Sequence, residues 1–280
     1  MTSEFPIRIT IEPTNHCNLN CLPCPRHHIT MPMGYMDWGL FDKLLADIKL
    51  NSSRCPYCTE VIIGHTVILA WRGEPTLHPR ISHISQSFRS ICDVVIATNG
   101  QNYKDLPYLG NLHALNVSIH NEQSVKTLYQ LLQDKINYHV QFKLTASRVL
   151  GETSDDLWEQ AKGLVCTGDT PWDKHSIDEY REYTEHSAGG VWGSIRAGGP
   201  RYTLSGQRKG LCHRLETDLV IAWDGSISRC CYVWSTVPGL NANNMTLSEI
   251  WQSPELQGIR DRYPDHICSR CDQWRSDKTL

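Results

Sequence analysis

Residues 7–24 have the sequence Ile-Arg-Ile-Thr-Ile-Glu-Pro-Thr-Asn-His-Cys-Asn-Leu-Asn-Cys-Leu-Pro-Cys. The first six residues alternate β-branched and polar side chains, a pattern that predicts a β-strand over 7–12. Three cysteines follow in a C-x3-C-x2-C spacing, at Cys17, Cys21 and Cys24. Because thiolates are preferred ligands of zinc and iron–sulfur clusters, the segment predicts a metal site in the loop after the first strand.

The same order of strand, loop and helix recurs over about the first 165 residues. Further strands are predicted at 66–71, 93–97, 113–119 and 138–145, and helices at 37–49, 81–90, 122–133 and 154–163. Alternating strands and helices indicate an α/β fold with a parallel sheet. Five or six such units are too few for a closed eight-stranded barrel but suit a partial barrel, with function on the loops that follow the strands.

A second unit is predicted after a segment of about 168–210 that is rich in Gly, Pro, Ser, Arg and Trp. It contains, in order, a strand at 218–223, a hairpin turn at Asp224-Gly225, a strand at 226–232 and a helix at 246–262. We therefore divide the chain into a barrel domain at 1–185, a linker at 186–209 and a small domain at 210–280.

Composition excludes several classes of protein. The chain has 280 residues, and no apolar run approaches the roughly 18 residues that would span a membrane. The first ten residues do not resemble a signal peptide, which predicts a cytoplasmic protein. A net charge of −3 without long Lys/Arg blocks predicts no nucleic-acid partner. Twelve cysteines in such a chain indicate metal-binding or catalytic thiols rather than disulfides.

The N-terminal cysteines allow two interpretations on spacing alone. Zinc would require a fourth ligand, which His16, His27 or His28 would supply. A [4Fe–4S] cluster held by three cysteines would instead leave one iron with an open coordination site, where a small molecule can bind.

The C-terminal cysteines form a second set. Cys212, Gly225 and Cys230 stand in a C-x12-G-x4-C arrangement, and a hairpin turn at the glycine would bring Cys230 to face Cys212. Cys268 and Cys271, a C-x2-C pair, would complete four thiolates. A four-cysteine zinc ribbon is the structural alternative to an iron–sulfur site.

Residues 11–26, Ile-Glu-Pro-Thr-Asn-His-Cys-Asn-Leu-Asn-Cys-Leu-Pro-Cys-Pro-Arg, resemble the opening of radical S-adenosylmethionine (SAM) enzymes. The C-terminal cysteine spacing is similar to that of their SPASM or Twitch domains. The resemblance implies a partial (β/α)6 TIM-like barrel with a small hairpin-plus-helix domain. It also implies a [4Fe–4S] cluster on Cys17, Cys21 and Cys24 that binds SAM, and reductive cleavage of SAM to a 5′-deoxyadenosyl radical that removes a hydrogen atom from substrate.

The cofactor pocket is also implied by resemblance. Residues 71–75, Trp-Arg-Gly-Glu-Pro, are similar to the family's G-G-E-P segment, with Arg72 where a glycine is frequent. Cofactor-binding residues are implied after four successive strands, namely Glu74, Asn99, Ser118 and Arg148. A solvated turn residue and a loop cap are the alternatives for the first two. Because parallel strands end at one edge of a sheet, we expect the four to lie together.

An auxiliary [4Fe–4S] cluster is implied for the C-terminal set. Its ligands would be Cys212, Cys230, Cys268 and Cys271. Since the sequence ends nine residues after Cys271, we expect the shorter Twitch form with a single auxiliary cluster. Cys231 allows three interpretations: a ligand in place of Cys230, an inert core residue, or a catalytic thiol that donates a hydrogen atom to a substrate radical.

The favoured function is radical chemistry on a small polar molecule, such as a sugar, aminocyclitol or nucleotide, in natural-product biosynthesis. Oxidation, epimerisation and dehydration remain open, and a protein such as flavodoxin or ferredoxin would supply electrons. A peptide maturase and a non-catalytic zinc or redox module are the alternatives. Polar residues that would contact substrate are not distinguished by spacing: His16, His120, Trp192, Arg196 and Arg201.

Overall fold

A computed structural model describes most of the chain. The described residues are 4–21, 24, 31–54, 61–63, 65–107, 109–140, 142–148, 153–166, 181–185, 192–196, 212–231, 233–264 and 268. The strands are β1 (Arg8–Ile11), β2 (Ser53–Arg54), β3 (Val61–Ile63), β4 (Thr66–Leu69), β5 (Asp93–Thr98), β6 (Ala114–Ile119), β7 (Lys143–Arg148), β8 (Arg181–Glu185), β9 (Trp192–Arg196), β10 (Asp218–Ile221) and β11 (Ile227–Ser228). The helices are α1 (Trp38–Asn51), α2 (Ile81–Arg89), α3 (Glu122–Tyr138), α4 (Asp155–Cys166), α5 (His213–Thr217), α6 (Leu247–Trp251) and α7 (Pro254–Asp261).

A seven-stranded sheet organises the fold, in the order β11-β10-β1-β4-β5-β6-β7. Every neighbouring pair is parallel except β10 and β11. The α/β class and the mostly parallel sheet predicted from the alternation of strands and helices are confirmed.

The sixth parallel strand comes from the C-terminal part of the chain. β10 pairs with β1, with Asp218 opposite Arg8 and Ile221 opposite Ile11. All four residues of β10 are buried, as expected for a strand of a parallel sheet that is covered on both faces. The sequence predicts this strand but not its partner, because pairing between distant strands leaves no local signal.

The core lies between the sheet and its helices. Strand residues Ile9, Val67 and Ile96 are fully buried and belong to the same cluster as Phe41 and Leu44 of α1. Burying each such side chain contributes about 1.5–3 kcal/mol relative to leaving it in water. This layer holds the strands in register and so fixes where their carboxyl ends lie.

The helix that follows β6 is longer than the sequence predicts. Asn121 caps α3 by accepting hydrogen bonds from the backbone of Gln123 and Ser124. The helix continues to Tyr138 and ends at His139, whose φ of 51° is the left-handed conformation common after helix ends. The next strand therefore begins at Lys143, five residues later than predicted.

The single helix predicted at 246–262 is wrong, because the segment forms α6 and α7. Thr246 caps α6 in a reciprocal capping box with Glu249. Ser253 caps α7 by accepting from the backbone of Leu256, and Pro254 occupies its first turn. Proline lacks a backbone N–H and cannot continue a helix, so it starts a new one.

Two small antiparallel ladders lie outside the main sheet. β2 pairs with β3, and β8 pairs with β9. The second ladder lies within the segment of about 168–210 that is rich in Gly, Pro, Ser, Arg and Trp. In the described part of the chain, none of the helices is both long and apolar enough to cross a membrane.

Candidate active site

The cysteine loop, residues 17–24, begins shortly after β1, and two side chains before it fix its start. Thr14 Oγ1 donates to the carbonyl of Gly34 at 2.7 Å. Asn15 Nδ2 donates to the carbonyl of Pro32 at 2.7 Å, and Asn15 Oδ1 accepts from the Gly34 N–H at 2.9 Å. Residues 32–34 therefore hold the entry to the loop in one position.

Gly73, which follows β4, packs against the same loop entry. A Cβ atom on Gly73 would lie 2.4 Å from the carbonyl oxygen of Thr14 and 2.6 Å from that of His16. The N–H of Glu74 donates to the His16 carbonyl at 2.7 Å. Only glycine allows this approach, so the end of β4 and the residue before Cys17 are held together by backbone contact.

Glu74 is buried and ties the ends of β4 and β5 together. Its Oε1 accepts from the N–H and the hydroxyl of Thr76 and from the hydroxyl of Thr98, at 2.7–3.1 Å. Its Oε2 accepts from the Asn99 N–H at 2.7 Å. Burial raises the pKa of this carboxyl, against the effect of these hydrogen bonds. A carboxylate offers about four acceptor positions, two on each oxygen. Oε1 accepts three of these hydrogen bonds and Oε2 accepts one. The predicted cofactor contact is therefore assigned to Oε2, and it stays a prediction.

The ends of β5 and β6 contact the cysteine loop directly. Asn99 Nδ2 donates to Asn18 Oδ1 at 2.7 Å and lies 3.8 Å from Cys17 Sγ. Nδ1 of His120, the residue after β6, lies 3.6 Å from Cys21 Sγ. The structure thus brings nitrogen atoms from two strand ends next to two of the three cysteine sulfurs.

His120 is the site residue that sequence analysis did not single out. It was one of five polar residues among which no spacing argument selected. Its place directly after Ile119, the last residue of β6, is the same signal that pointed to Asn99 after β5. Asn99 also fills the loop-capping role offered as the alternative, since its Oδ1 accepts from the Gln101 N–H at 3.0 Å.

Ser118 and Arg148 lie at the ends of the next two strands. Ser118 pairs in register with Ser147, and Arg148 with Ile119. Ser118 is half-buried. This register places their backbones on neighbouring strands. The side chain of Arg148 lies outside the described residues, and binding of a cofactor carboxylate stays a prediction for both.

Arg72 replaces a frequent glycine of the family motif and forms a buried ion pair with Glu12. Its Nε and Nη2 donate to the two carboxylate oxygens at 2.9 and 2.6 Å, and its N–H donates to Oε1 at 3.0 Å. The side chains are 7% and 0% exposed. The guanidinium also stacks over the Trp71 ring at 4.0 Å. This pair fastens the end of β4 to the end of β1.

The C-terminal cysteines border the β10–β11 hairpin. Cys212 precedes α5, whereas Cys230 and Cys231 follow β11. The predicted turn is present, with Gly225 in the left-handed region at a φ of 83°. Cys268 is partly exposed, like the other three, and Cys271 lies outside the described residues.

Cys231 connects this region to the end of β4. Its carbonyl accepts from Trp71 Nε1 at 2.9 Å, and its Sγ accepts from Arg214 Nη1 at 3.6 Å. The hydrogen bond with Cys230 lowers the pKa of the Cys231 thiol to about 7; burial opposes this shift and the charge of Arg214 adds to it. The donation of a hydrogen atom by Cys231 stays a prediction.

The donor set fits iron–sulfur clusters. Thiolates are the protein ligands of [4Fe–4S] clusters, and Cys17, Cys21 and Cys24 supply three of them in the loop after β1. Nitrogen donors near the sulfurs are the surroundings that such clusters use.

Of the remaining cysteines, only Cys92 has a side chain that the structure describes. Cys92 is buried in the core, and its thiol donates to the Phe88 carbonyl at 3.3 Å. Cys55 and Cys58 lie outside the described residues, and so does the side chain of Cys166.

Comparisons with known proteins agree with this arrangement. Residues 212–272 match the SPASM family, an iron–sulfur cluster-binding domain. The fold is similar to that of BtrN in complex with AdoMet and 2-DOIA, with a TM-score of 0.54 and 16% identity over 93% of this chain and 87% of that chain. It is also similar to selenomethionine BtrN in an open conformation, with a TM-score of 0.50 and 15% identity over 95% of this chain and 92% of that chain. The sequence matches no curated protein.

These matches confirm two expectations from the sequence, the SPASM-type domain and the fold class. The C-x12-G-x4-C spacing correctly indicated a SPASM-type domain, and the match includes all four predicted auxiliary-cluster cysteines. The predicted fold class is confirmed as well. The division at 185 and 210 and the role of each ligand stay predictions.

Proposed function

We propose that this chain, a radical SAM enzyme with a C-terminal SPASM-type domain, cleaves SAM reductively and uses the resulting radical to remove a hydrogen atom from a small polar substrate. One observation carries the proposal. The cysteine loop, Glu74, Asn99 and His120 meet at the carboxyl ends of parallel strands, where barrels of this kind place their active sites.

The residues around the cysteine loop define what the protein contributes. A [4Fe–4S] cluster held by Cys17, Cys21 and Cys24 would supply an open iron site and the electron for SAM cleavage. Asn99 and His120 would orient the thiolates of this cluster, as outer partners of metal ligands do.

Cofactor recognition would use three other side chains. Glu74 Oε2 would accept a hydrogen bond from the SAM ammonium, for which a carboxylate is a strong partner. Ser118 and Arg148 would hold the SAM carboxylate, since a guanidinium binds a carboxylate with two parallel hydrogen bonds.

A small polar substrate is supported by the polar face of β6 and β7. Asn116 Nδ2 donates to Thr145 Oγ1 and to Ser147 Oγ, both at 2.8 Å. Asn116 and Ser118 alternate with the buried Leu115 and Val117, so they face away from the core. Hydroxyl and amide groups suit a sugar, aminocyclitol or nucleotide. The solved BtrN complex with 2-DOIA also supports a small ligand.

Oxidation is the outcome that the C-terminal domain supports best. Oxidation requires the substrate radical to lose one electron and one proton. A cluster with four thiolate ligands has no open iron and suits acceptance of this electron. The reduced form of a flavodoxin or ferredoxin would supply the electron for SAM cleavage, and its oxidised form would take up the electron from the auxiliary cluster. Epimerisation would instead require a hydrogen donor, for which Cys231 is the candidate.

Iron content provides the first test. Anaerobically reconstituted protein is expected to contain about eight iron per chain, and the Cys17→Ala/Cys21→Ala/Cys24→Ala variant about four. The parent should release 5′-deoxyadenosine from SAM under reducing conditions, and the variant should not. A colourless parent that binds zinc and leaves SAM intact would refute the proposal.

Substrate class and outcome are tested separately. Aminocyclitols, sugars, nucleotides and short peptides would be compared as stimulants of 5′-deoxyadenosine release, and stimulation by peptides alone would favour a peptide maturase. With a stimulating substrate, Cys231→Ser is expected to leave an oxidised product unchanged. Loss of an epimerised product in this variant would assign the hydrogen donation to Cys231.

A further inference from the structure

A buried carboxylate joins two arginines next to the C-terminal cysteines. Arg8 Nε lies 2.9 Å from Asp218 Oδ1, and Arg214 Nη1 lies 3.0 Å from Asp218 Oδ2. Thr217 Oγ1 also donates to Oδ1, at 2.7 Å. Asp218 is almost fully buried, whereas each arginine is about one-third exposed. The three charged groups carry one net positive charge.

Arg214 directs this charge at the cysteines. The same Nη1 that contacts Asp218 lies 3.6 Å from Cys231 Sγ. Arg214 stands in α5, two residues after Cys212, and its contact with Asp218 spans one helical turn. Since Cys230 and Cys231 are hydrogen-bonded to each other, the positive charge lies close to whichever of them is the cluster ligand.

We infer that Arg214 sets the reduction potential of the auxiliary cluster and holds it above the value that the thiolates alone would give. This inference rests on the proposed function, because it assumes a cluster on the C-terminal cysteines. A four-thiolate cubane cluster is negatively charged and gains one further negative charge on reduction. A nearby cation therefore stabilises the reduced form more than the oxidised form.

The redox couple involves only one electron, and no bond forms or breaks. In the measurement, dithionite supplies the electron and is itself oxidised, and the cluster alone is reduced. A raised potential would make the cluster a better acceptor for the electron that an oxidised substrate must lose.

The test is a potentiometric titration of cluster-loaded protein followed by electron paramagnetic resonance. The Cys17→Ala/Cys21→Ala/Cys24→Ala variant is the parent here, so that only the auxiliary cluster contributes to the signal. Arg214→Gln, Arg214→Lys and Arg89→Gln are compared in this background. Arg89 pairs with Asp93 at the surface and provides a control with the same charge change.

At the parent's midpoint potential, Arg214→Gln is expected to lower the ratio of reduced to oxidised cluster at least tenfold, a shift of about 59 mV for a one-electron couple. Arg214→Lys keeps the charge and should stay within threefold of the parent, and Arg89→Gln should match it. A ratio that is unchanged or higher in Arg214→Gln, with about four iron retained, would overturn the inference.

Two outcomes concern cluster binding itself. If the parent holds no iron, both the auxiliary cluster of the proposed function and this inference are wrong, whereas SAM cleavage by the unmodified chain is not affected. If only Arg214→Gln loses iron, its reduction potential is not measurable, and the Arg8→Gln variant tests the inference instead. Arg8 contacts Asp218, the carboxylate that Arg214 also contacts, so removing this cation should lower the ratio by a smaller factor. An unchanged ratio in Arg8→Gln would overturn the inference.

Discussion

The buried pair of Glu12 and Arg72 predicts a strong coupling between two residues that lie sixty positions apart. The perturbations are Arg72→Leu, Glu12→Leu and the double substitution. Arg72→Leu leaves a fully buried carboxylate whose remaining donors are the N–H of residue 72 at 3.0 Å and that of Trp223 at 3.4 Å. Glu12→Leu leaves a buried guanidinium without its carboxylate.

The expected magnitude follows from the desolvation of the unpaired charge. Removing one partner of a buried pair costs about 3–5 kcal/mol, whereas replacing both by apolar groups is often neutral or stabilising. Loss of the stacking on Trp71 adds about 0.5–2 kcal/mol whenever Arg72 is replaced. We therefore expect Glu12→Leu to be destabilised by about 3–5 kcal/mol, Arg72→Leu by about 3.5–7 kcal/mol and the double variant by about 0–2 kcal/mol.

Thermal unfolding of variants matched for iron content measures this coupling. At about 2–4 °C per kcal/mol for chains of 150–250 residues, Glu12→Leu should lower the midpoint by about 6–20 °C and Arg72→Leu by about 7–28 °C. Arg89→Gln, which alters an exposed ion pair, is the control and should change the midpoint little.

If the losses of the two single variants simply add in the double variant, the expected coupling between Glu12 and Arg72 is wrong. Additivity would mean that the carboxylate and the guanidinium do not compensate each other in the native protein. Single variants with midpoints near that of the wild type would refute it as well.

Further predictions concern the loop, the carboxylate and a helix cap. Gly73→Ala should displace the cysteine loop and so reduce the iron content by about four per chain. Gly163→Ala, at an open helix surface, is the matched control: it should keep its iron and raise the free energy of unfolding by about 0.5–1 kcal/mol. Equal iron content in the two variants would contradict the expectation for Gly73→Ala. Glu74→Gln would place an amide nitrogen against the Asn99 N–H and should cost about 1–3 kcal/mol in urea unfolding; an unchanged midpoint would be evidence against that clash. Ser253→Ala removes the cap of α7 and should cost about 1 kcal/mol by the same measurement, with iron content unaltered.

Local patterns were enough to predict the SPASM-type domain and to select the candidate metal ligands. Ligand spacing in the cysteine loop and in the C-terminal set depends on a few neighbouring residues, so it is visible in the sequence. The placement of Glu74 and Asn99 together also followed, because parallel strands end at one edge of a sheet. The break between α6 and α7 had a local signal too, Ser253-Pro254, which the prediction of one long helix overlooked.

Contacts between distant residues required the tertiary structure. The alternation of β1 indicates a strand but does not reveal that β10 will lie beside it. Nor does any spacing pair Glu12 with Arg72, or His120 with Cys21. Such contacts arise when a whole sheet forms and brings separate strand ends together, and their energies depend on burial, which the sequence does not encode position by position. Residue types and their local spacing therefore predict which side chains are candidate metal ligands, whereas the side chains that surround each sulfur are set by the packing of the sheet.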